Sequence, residues 1–368
     1  MIQGVDRSLD AEQARIIRHF VASGAELVDP PVLQPAETLL DLYGEDIRAR
    51  AYTTRDPLAG ELMLRPDFTV PVVQMHIANG ARSARYAYAG KVFRTQELGA
   101  DRPSEYDQIG YEIFHGGNPA TADAEVFSLF ASVLSDLNLR AATGDMGVLL
   151  AAVQGLATTD RRKAALTRHI WRPRRFRALL DRFGGRTPVP PSRAALLKRC
   201  DAGEDIIGNL GPVVGLRSTA EIAARIEALI QDAAEPPISA AQAGLLDEIV
   251  RLREKSPVAL EKLRDIAVDL PAISKAVHRI EARLEALAKR GIEVNSLDFE
   301  GSYGRTTMEY YDGFVFGFYA ESRPDLPPVA TGGRYDALTR ALGGAGAVPA
   351  VGGVIRPALT LSLAGGAR

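Results

Sequence analysis

The sequence predicts an α+β fold: a mixed, largely antiparallel sheet flanked by helices and interrupted by a mostly helical insertion. Three observations carry this. Residues 85–94 and 105–115 read as two long neighbouring strands joined by the polar loop "TQELGADRPS". From about 145 to 290 helical patterns dominate. Strand-like sequence then returns at 292–300, 310–320 and 350–356. A chain of 368 residues is long for one compact domain. The expected organisation is therefore a core made of 1–140 and 292–368, with 145–290 inserted into it.

Taken in order, Asp10 can cap a first helix running to about Gly24, with Ile16, Ile17, Phe20 and Val21 on one face. "AELVDPPVLQP" follows as a short strand broken by Pro30 and Pro31, which suits an edge or an interface. Residues 51–65 read as a hairpin around "RDPLAG", and Pro66 and Asp67 open a helix to about Asn79. A helix is expected at 121–137. In the insertion, Ser218 and Glu221 form a capping box ahead of "AARIEALI". "SAAQAGLLDEIVRLREKS" and "ISKAVHRIEARLEALAKRG" read as further amphipathic helices. After Arg356, the sequence has room for one short helix.

Hydrophobic content of 46% with 24% charged residues is ordinary for a protein with a substantial core. No apolar run approaches the roughly 20 residues that cross a bilayer, and the N-terminus lacks the apolar segment of a signal peptide. A single cysteine, Cys200, excludes an internal disulfide framework and a cysteine-based zinc site. A cytoplasmic protein with no membrane partner, no cofactor and no metal is expected. The net charge of −2 gives no bulk attraction to nucleic acid. Locally, residues 161–200 hold thirteen Lys or Arg against one acid, Asp181. That run suits a protein interface, a solvated face or, least of the three, RNA.

On the strand "EYDQIGYEIF", Gln108, Gly110 and Glu112 share one face because side chains alternate. An amide and a carboxylate flanking a glycine leave either a polar hole one small molecule wide, suited to a cationic amine, or a solvated face with an incidental glycine. In "YYDGFVFGFY", Tyr311, Gly313, Val315, Gly317 and Tyr319 lie back to back with Tyr310, Asp312, Phe314, Phe316 and Phe318. The aromatic set suits core, and two glycine-bearing faces suggest one sheet with a cavity over it. Asp67 in "LRPDFT" reads first as a helix cap. Arg94 in "KVFRTQ" reads as a surface ion pair, and "TGGRYDAL" as a turn. Gly352 and Gly353, ahead of Arg356, mark close approach of a ligand or another backbone. His115 and His169 suggest no special role.

The order of these segments resembles the class II aminoacyl-tRNA synthetase core, specifically histidyl-tRNA synthetase, over about 1–140 and 292–360. "ELVDPPVLQP" is similar to the first class motif, at a dimer interface. "FRTQ" with "EYDQIGYEIF" is similar to the second, and "AVGGVIRPAL" to the third. "LRPDFT", "EYYDGFVF" and "TGGRYDAL" match segments peculiar to the histidine enzymes. The resemblance implies that Asp67 and Thr69 lie near a histidine amino group. Gln108 and Glu112 would sit by the amino group and side chain, Tyr310 and Tyr311 by the imidazole, and Arg94 at the carboxylate.

The departures point away from catalysis. The family's Arg-Gly-Leu-Asp is here Thr306, Thr307, Met308 and Glu309, and Arg305 is one position out of register, on the opposite face of a strand. Gln96 stands where a glutamate is expected, and Asp67 replaces a glutamate. Adenylation develops phosphate charge that fixed cations stabilise, and losing one such donor costs about 10²–10³ in rate. With no room after Arg356 for an anticodon-reading domain, the chain resembles the regulatory subunits of short-form ATP phosphoribosyltransferase. "GDMGVLLAAVQGL" is similar to a segment of that family. The resemblance implies no catalytic residue and a role in the first step of histidine biosynthesis and its feedback inhibition by histidine. It also implies dimerisation, a phosphoribosyltransferase catalytic subunit as partner, and L-histidine as ligand. A shortened active histidyl-tRNA synthetase and an RNA-binding synthetase-like module are the competing expectations.

Overall fold

Period-two alternation and glycine-rich pairing build the centre of the molecule. The computed structural model describes residues 7–43, 45–96, 103–208, 217–305 and 310–365. The first part of the chain forms α1 (Arg7–Ala22), β1 (Glu26–Leu27), β2 (Leu33–Pro35), α2 (Ala36–Tyr43), β3 (Thr53–Asp56), β4 (Gly60–Leu64), α3 (Thr69–Asn79), β5 (Ser83–Phe93), β6 (Glu105–His115) and α4 (Pro119–Val133). The middle forms β7 (Arg140–Asp145), α5 (Met146–Gln154), α6 (Asp160–Arg168), α7 (Pro173–Phe183), α8 (Pro191–Asp201), α9 (Thr219–Ala234), α10 (Ala240–Arg251), β8 (Arg253–Lys255), α11 (Ser256–Asp269) and α12 (Ser274–Lys289). The last part forms β9 (Asp298–Glu300), β10 (Phe314–Tyr319), β11 (Ala330–Arg334), α13 (Asp336–Gly343), β12 (Ala350–Ile355) and α14 (Pro357–Gly365).

Nine strands make one mixed sheet in the order β1-β5-β6-β12-β11-β10-β7-β9-β8, and β2-β4-β3 make a small second sheet. Only β1–β5 and β7–β9 pair in parallel; the others in the large sheet are antiparallel. The α+β expectation holds. The sheet also reaches into the helix-rich middle of the chain through β7 and β8.

Each face of the sheet carries its own core. Ile109, Tyr111 and Ile113 of β6 and Phe314, Phe316 and Phe318 of β10 pack with Phe20 of α1 and Phe127 and Phe130 of α4. The aromatic face read from the sequence is thus core: Phe127 stands 5.5 Å from Phe316 and 5.3 Å from Phe318. The opposite face carries Tyr88, Phe114, Val315 and Tyr335 with α3 and the helical middle of the chain. The expected site residues Gln108 and Glu112 of β6 lie on this second face.

Local signals explain several helix boundaries. The Ser218–Glu221 capping box is formed. Gly80 closes α3 in the left-handed region, φ 64°, where glycine is unstrained. Three expectations need correction. Helix α1 begins at Arg7, so Asp10 lies in its first turn rather than at its cap. Tyr310 to Gly313 precede β10 rather than belonging to it. Glycine 332 and 333 of "TGGRYDAL" are strand residues, not a turn.

Buried charge ties α4 and α12 to the sheet. Asp123 of α4 accepts from Arg334 at 2.6 Å and from Arg283 of α12 at 3.1 Å. Arg283 also donates to Asp145 at 2.7 Å and lies 4.3 Å over Phe314. All these side chains are under a tenth exposed. Burial by itself would lower the Arg334 pKa, but Asp123 and Asp336 outweigh it and hold the guanidinium firmly charged. Such a pair is costly to break because it leaves an uncompensated buried charge.

Candidate functional site

Glu112 is 1% exposed at the centre of β6, between Tyr86 of β5 and Gly352 of β12 in the ladder. Its Oε1 accepts from the Tyr88 hydroxyl at 2.8 Å and its Oε2 from the Tyr335 hydroxyl at 2.5 Å. Thr69, at the start of α3, adds a third hydrogen bond. Tyr88 pairs with Gly110, and its ring lies flat over that glycine: a Cβ at 110 would stand 2.1 Å from Tyr88 Cζ. The hole that the glycine suggests for a small molecule is therefore filled by a tyrosine, which corrects that expectation. Gly352 has the same logic, since a Cβ there would fall 1.6 Å from Glu112 Oε2. What approaches closely at Gly352 is the carboxylate of Glu112.

The other expected residues gather around this cradle. Asp67 Oδ1 accepts from the Thr69 and Val70 amides at 3.1 and 3.4 Å, which fastens the entrance to α3. The Tyr310 hydroxyl donates to Thr69 Oγ1 at 3.1 Å. Tyr310 meets Tyr311 and Tyr335 edge-on, with centroids 5.1 and 6.0 Å apart. Phe68 stacks on Tyr88 at 4.4 Å and holds that ring against the sheet. Gln108 is 1% exposed, and its amide oxygen is buried without a hydrogen-bond partner among the described residues. A buried amide oxygen in this state is unusual, because desolvation costs about 1–3 kcal/mol when no bond replaces water.

Arg94 stands to one side. Its Nε donates to the Pro66 carbonyl at 2.8 Å, and with Arg50 and Arg356 it lines a cleft of about 290 Å³ beside the cradle. Arg356 also donates to the Pro328 carbonyl. The Arg94 and Arg356 cations are near enough to act on the Tyr311 hydroxyl, whose pKa is raised chiefly by burial and further by Glu112 and Asp67. Residues Thr306, Thr307, Met308 and Glu309 lie outside the described residues. Arg305 sits in a turn, not on a strand face, and its Nε donates to the Ile170 carbonyl at 2.8 Å. Its guanidinium lies 4.8 Å over Phe176.

The electrostatics follow from burial. Desolvation pushes the Glu112 carboxyl up to about 8 and Asp67 adds to this, while the hydrogen bonds from Tyr335, Tyr88 and Thr69 oppose it. No arginine or lysine is ion-paired with it among the described residues. A cradle of this kind can take the cationic group of a ligand, which supplies the missing charge partner. Among the described residues no group of three His, Cys, Asp or Glu is placed to hold a metal.

Comparison with known proteins shows the family and the fold. The chain matches the histidyl-tRNA synthetase family over residues 7–234 and 219–358. Among its relatives is the ATP phosphoribosyltransferase regulatory subunit of Brucella ovis, 33% identical over 351 residues that cover 90% of this chain and 91% of the relative. The protein of that name from Brucella abortus is also 33% identical, covering 90% of each chain. The chain belongs to the ATP phosphoribosyltransferase regulatory subunit family. In fold it is similar to an ATP phosphoribosyltransferase regulatory subunit/histidyl-tRNA synthetase from Bacillus halodurans, with a TM-score of 0.68 at 20% identity. That match covers 97% of this chain and 79% of the other. It is also similar to a Nostoc histidyl-tRNA synthetase, with a TM-score of 0.63 at 15% identity, covering 97% of this chain and 71% of the other.

For this family member, the sequence reading omitted Tyr88 and Tyr335, the two donors to Glu112. Tyr88 was within reach: antiparallel pairing of 83–93 with 105–115 puts it opposite Gly110. Tyr335 gives no such signal, since it arrives from a segment 223 residues away. Among the described residues no helix is long and apolar enough to cross a membrane.

Proposed function

We propose that this chain is a regulatory subunit without catalysis of its own, which works with a short-form ATP phosphoribosyltransferase catalytic subunit in the first step of histidine biosynthesis. It reports L-histidine through Asp67, Thr69, Gln108, Glu112, Tyr310 and Tyr311, with Arg94 at the carboxylate end. The observation that carries the reading is Glu112, a buried carboxyl held by two tyrosine hydroxyls with no cation paired to it among the described residues. The Gln108 amide oxygen, buried and unpartnered, gives the ligand a second acceptor. An amino acid's ammonium group satisfies both.

The lack of catalysis rests on charge. Phosphate charge developing during adenylation needs fixed donors, and Arg305 is engaged by Ile170 and Phe176. Dimerisation runs through the segment of β1 and β2, where Leu27 is 58% exposed, with Val32 and Leu33 also uncovered. Such an apolar edge suits burial against a second copy. The cytoplasm is the expected site of action. Feedback then requires that histidine bind the inhibited assembly more tightly than the active one, since equal affinity shifts nothing.

The test is reconstitution. The purified chain, mixed with the short catalytic subunit from the same organism, should raise formation of phosphoribosyl-ATP and make it sensitive to L-histidine. The chain alone should show no histidine-dependent exchange of pyrophosphate into ATP. Rapid exchange, or no effect on the catalytic subunit, would overturn the reading.

A further inference from the structure

The basic run at 161–200 folds into something more specific than a charged face. Helices α6, α7, α8 and α9 enclose a cavity of about 360 Å³ lined by six arginines and one acid. Arg161, Arg162 and Arg168 come from α6, Arg182 from α7, Arg193 from α8, and Arg225 with Asp232 from α9. None of these residues belongs to the Glu112 cradle. Asp232 is held by both Arg162 and Arg193, at 2.6 Å each. Arg162 is completed by the carbonyls of Asp232, Pro236 and Glu235. One carboxylate thus serves two cations, and Arg161, Arg168, Arg182 and Arg225 have no ion pair among the described residues.

Two further features make this a built site. The Nε of Arg193 is buried with no hydrogen-bond partner among the described residues, on a side chain only 16% exposed. Phe183 supports two of the guanidiniums, with Arg182 at 4.7 Å and Arg162 at 5.2 Å from its ring centre. Stacking of this kind orients the planar fork before a ligand arrives. Burial and the nearby Arg193 and Arg162 cations lower the Arg182 pKa, against the pull of Asp232. The choice of side chain is informative too: eleven of the thirteen cations in 161–200 are arginine, whose paired N–H groups match phosphate oxygens.

We infer that this cavity binds a small polyphosphate, the pyrophosphate or triphosphate group of a phosphorylated metabolite. Six cations against one carboxylate exceed the charge of a single phosphate, and the volume lies in the range of small-molecule sites. The shared chemistry is the linked phosphate chain, which nucleotides, sugar pyrophosphates and inorganic pyrophosphate all carry.

Calorimetry of the full chain with inorganic tripolyphosphate, pyrophosphate and sulfate at matched ionic strength tests this. Tripolyphosphate should bind most tightly, pyrophosphate next, and sulfate at least tenfold more weakly than either. The double variant R168Q/R225Q removes two exposed arginines without ion-pair partners, and should weaken tripolyphosphate binding at least tenfold while leaving the melting temperature unchanged. R182Q gives an independent check and should weaken binding more than R182K. Equal binding of sulfate and tripolyphosphate overturns the inference, as does unchanged affinity in all three variants. Tight tRNA binding that tripolyphosphate fails to displace from this surface also overturns it, in favour of an extended nucleic-acid backbone.

Discussion

Replacing Glu112 by glutamine isolates the buried carboxyl at the centre of the cradle. In the folded chain burial pushes this carboxyl up to about 8, against a usual value of 4.5. The folded state therefore holds a proton that the unfolded state releases, so stability falls as pH rises from about 4.5 through 8. From these two values, folding loses roughly 3 kcal/mol from this one group between pH 6 and pH 9. Glutamine keeps the shape, leaves an acceptor oxygen for one of Tyr88 and Tyr335 and an NH2 donor to the other, and cannot ionise. Urea denaturation of the two proteins at pH 6 and pH 9 reads the difference directly. The gap in unfolding free energy should move by roughly 3 kcal/mol in favour of Glu112→Gln between those pH values. Parallel pH curves for the two proteins would refute the buried, unpaired carboxyl. A stability liability of this size in the middle of a sheet is expected where function demands it.

Three more outcomes follow from the same contacts. Because Glu112 must lose its proton to pair with an ammonium, calorimetry should show histidine affinity rising about fivefold from pH 7 to pH 8, and Glu112→Gln should abolish that rise. Gly352→Ala places a Cβ 1.6 Å from Glu112 Oε2, so it should displace the carboxylate, cost about 1–3 kcal/mol by overpacking and lower histidine affinity at least tenfold; unchanged affinity would show that the cradle is not the ligand site. Asp123→Asn leaves Arg283 and Arg334 under-compensated in the core and should cost about 3–5 kcal/mol in denaturant unfolding, a loss under about 1 kcal/mol showing that the pair does not clamp α4 and α12 to the sheet.

What could be read from the sequence was what alternation controls. The shared face of Gln108, Gly110 and Glu112, and the core face of Phe314, Phe316 and Phe318, depend only on the period-two geometry of a strand. The helix through 219–234 was visible because its capping box is local. Contacts set by register or by distant segments were not. Tyr88 over Gly110 needs the pairing of two strands, and the buried Arg334–Asp123 bond joins residues 211 positions apart. The glycines misled in one respect: Gly110 and Gly352 do mark close approach, but of the protein's own Tyr88 and Glu112. A missing side chain shows that space is needed without showing what fills it. Asp67 illustrates the converse: it lies one residue before the N-cap Phe68, fastens the entrance to α3 through the Thr69 and Val70 amides, and still acts on Glu112.

The proposed function requires that histidine be felt at the Glu112 cradle. The most direct measurement is the histidine concentration that half-inhibits phosphoribosyl-ATP formation by the reconstituted complex, compared between wild-type chain and Glu112→Gln. A rise of tenfold or more in the variant is the expected result. Half-inhibition at the same concentration in both would place the histidine signal elsewhere and contradict the central claim.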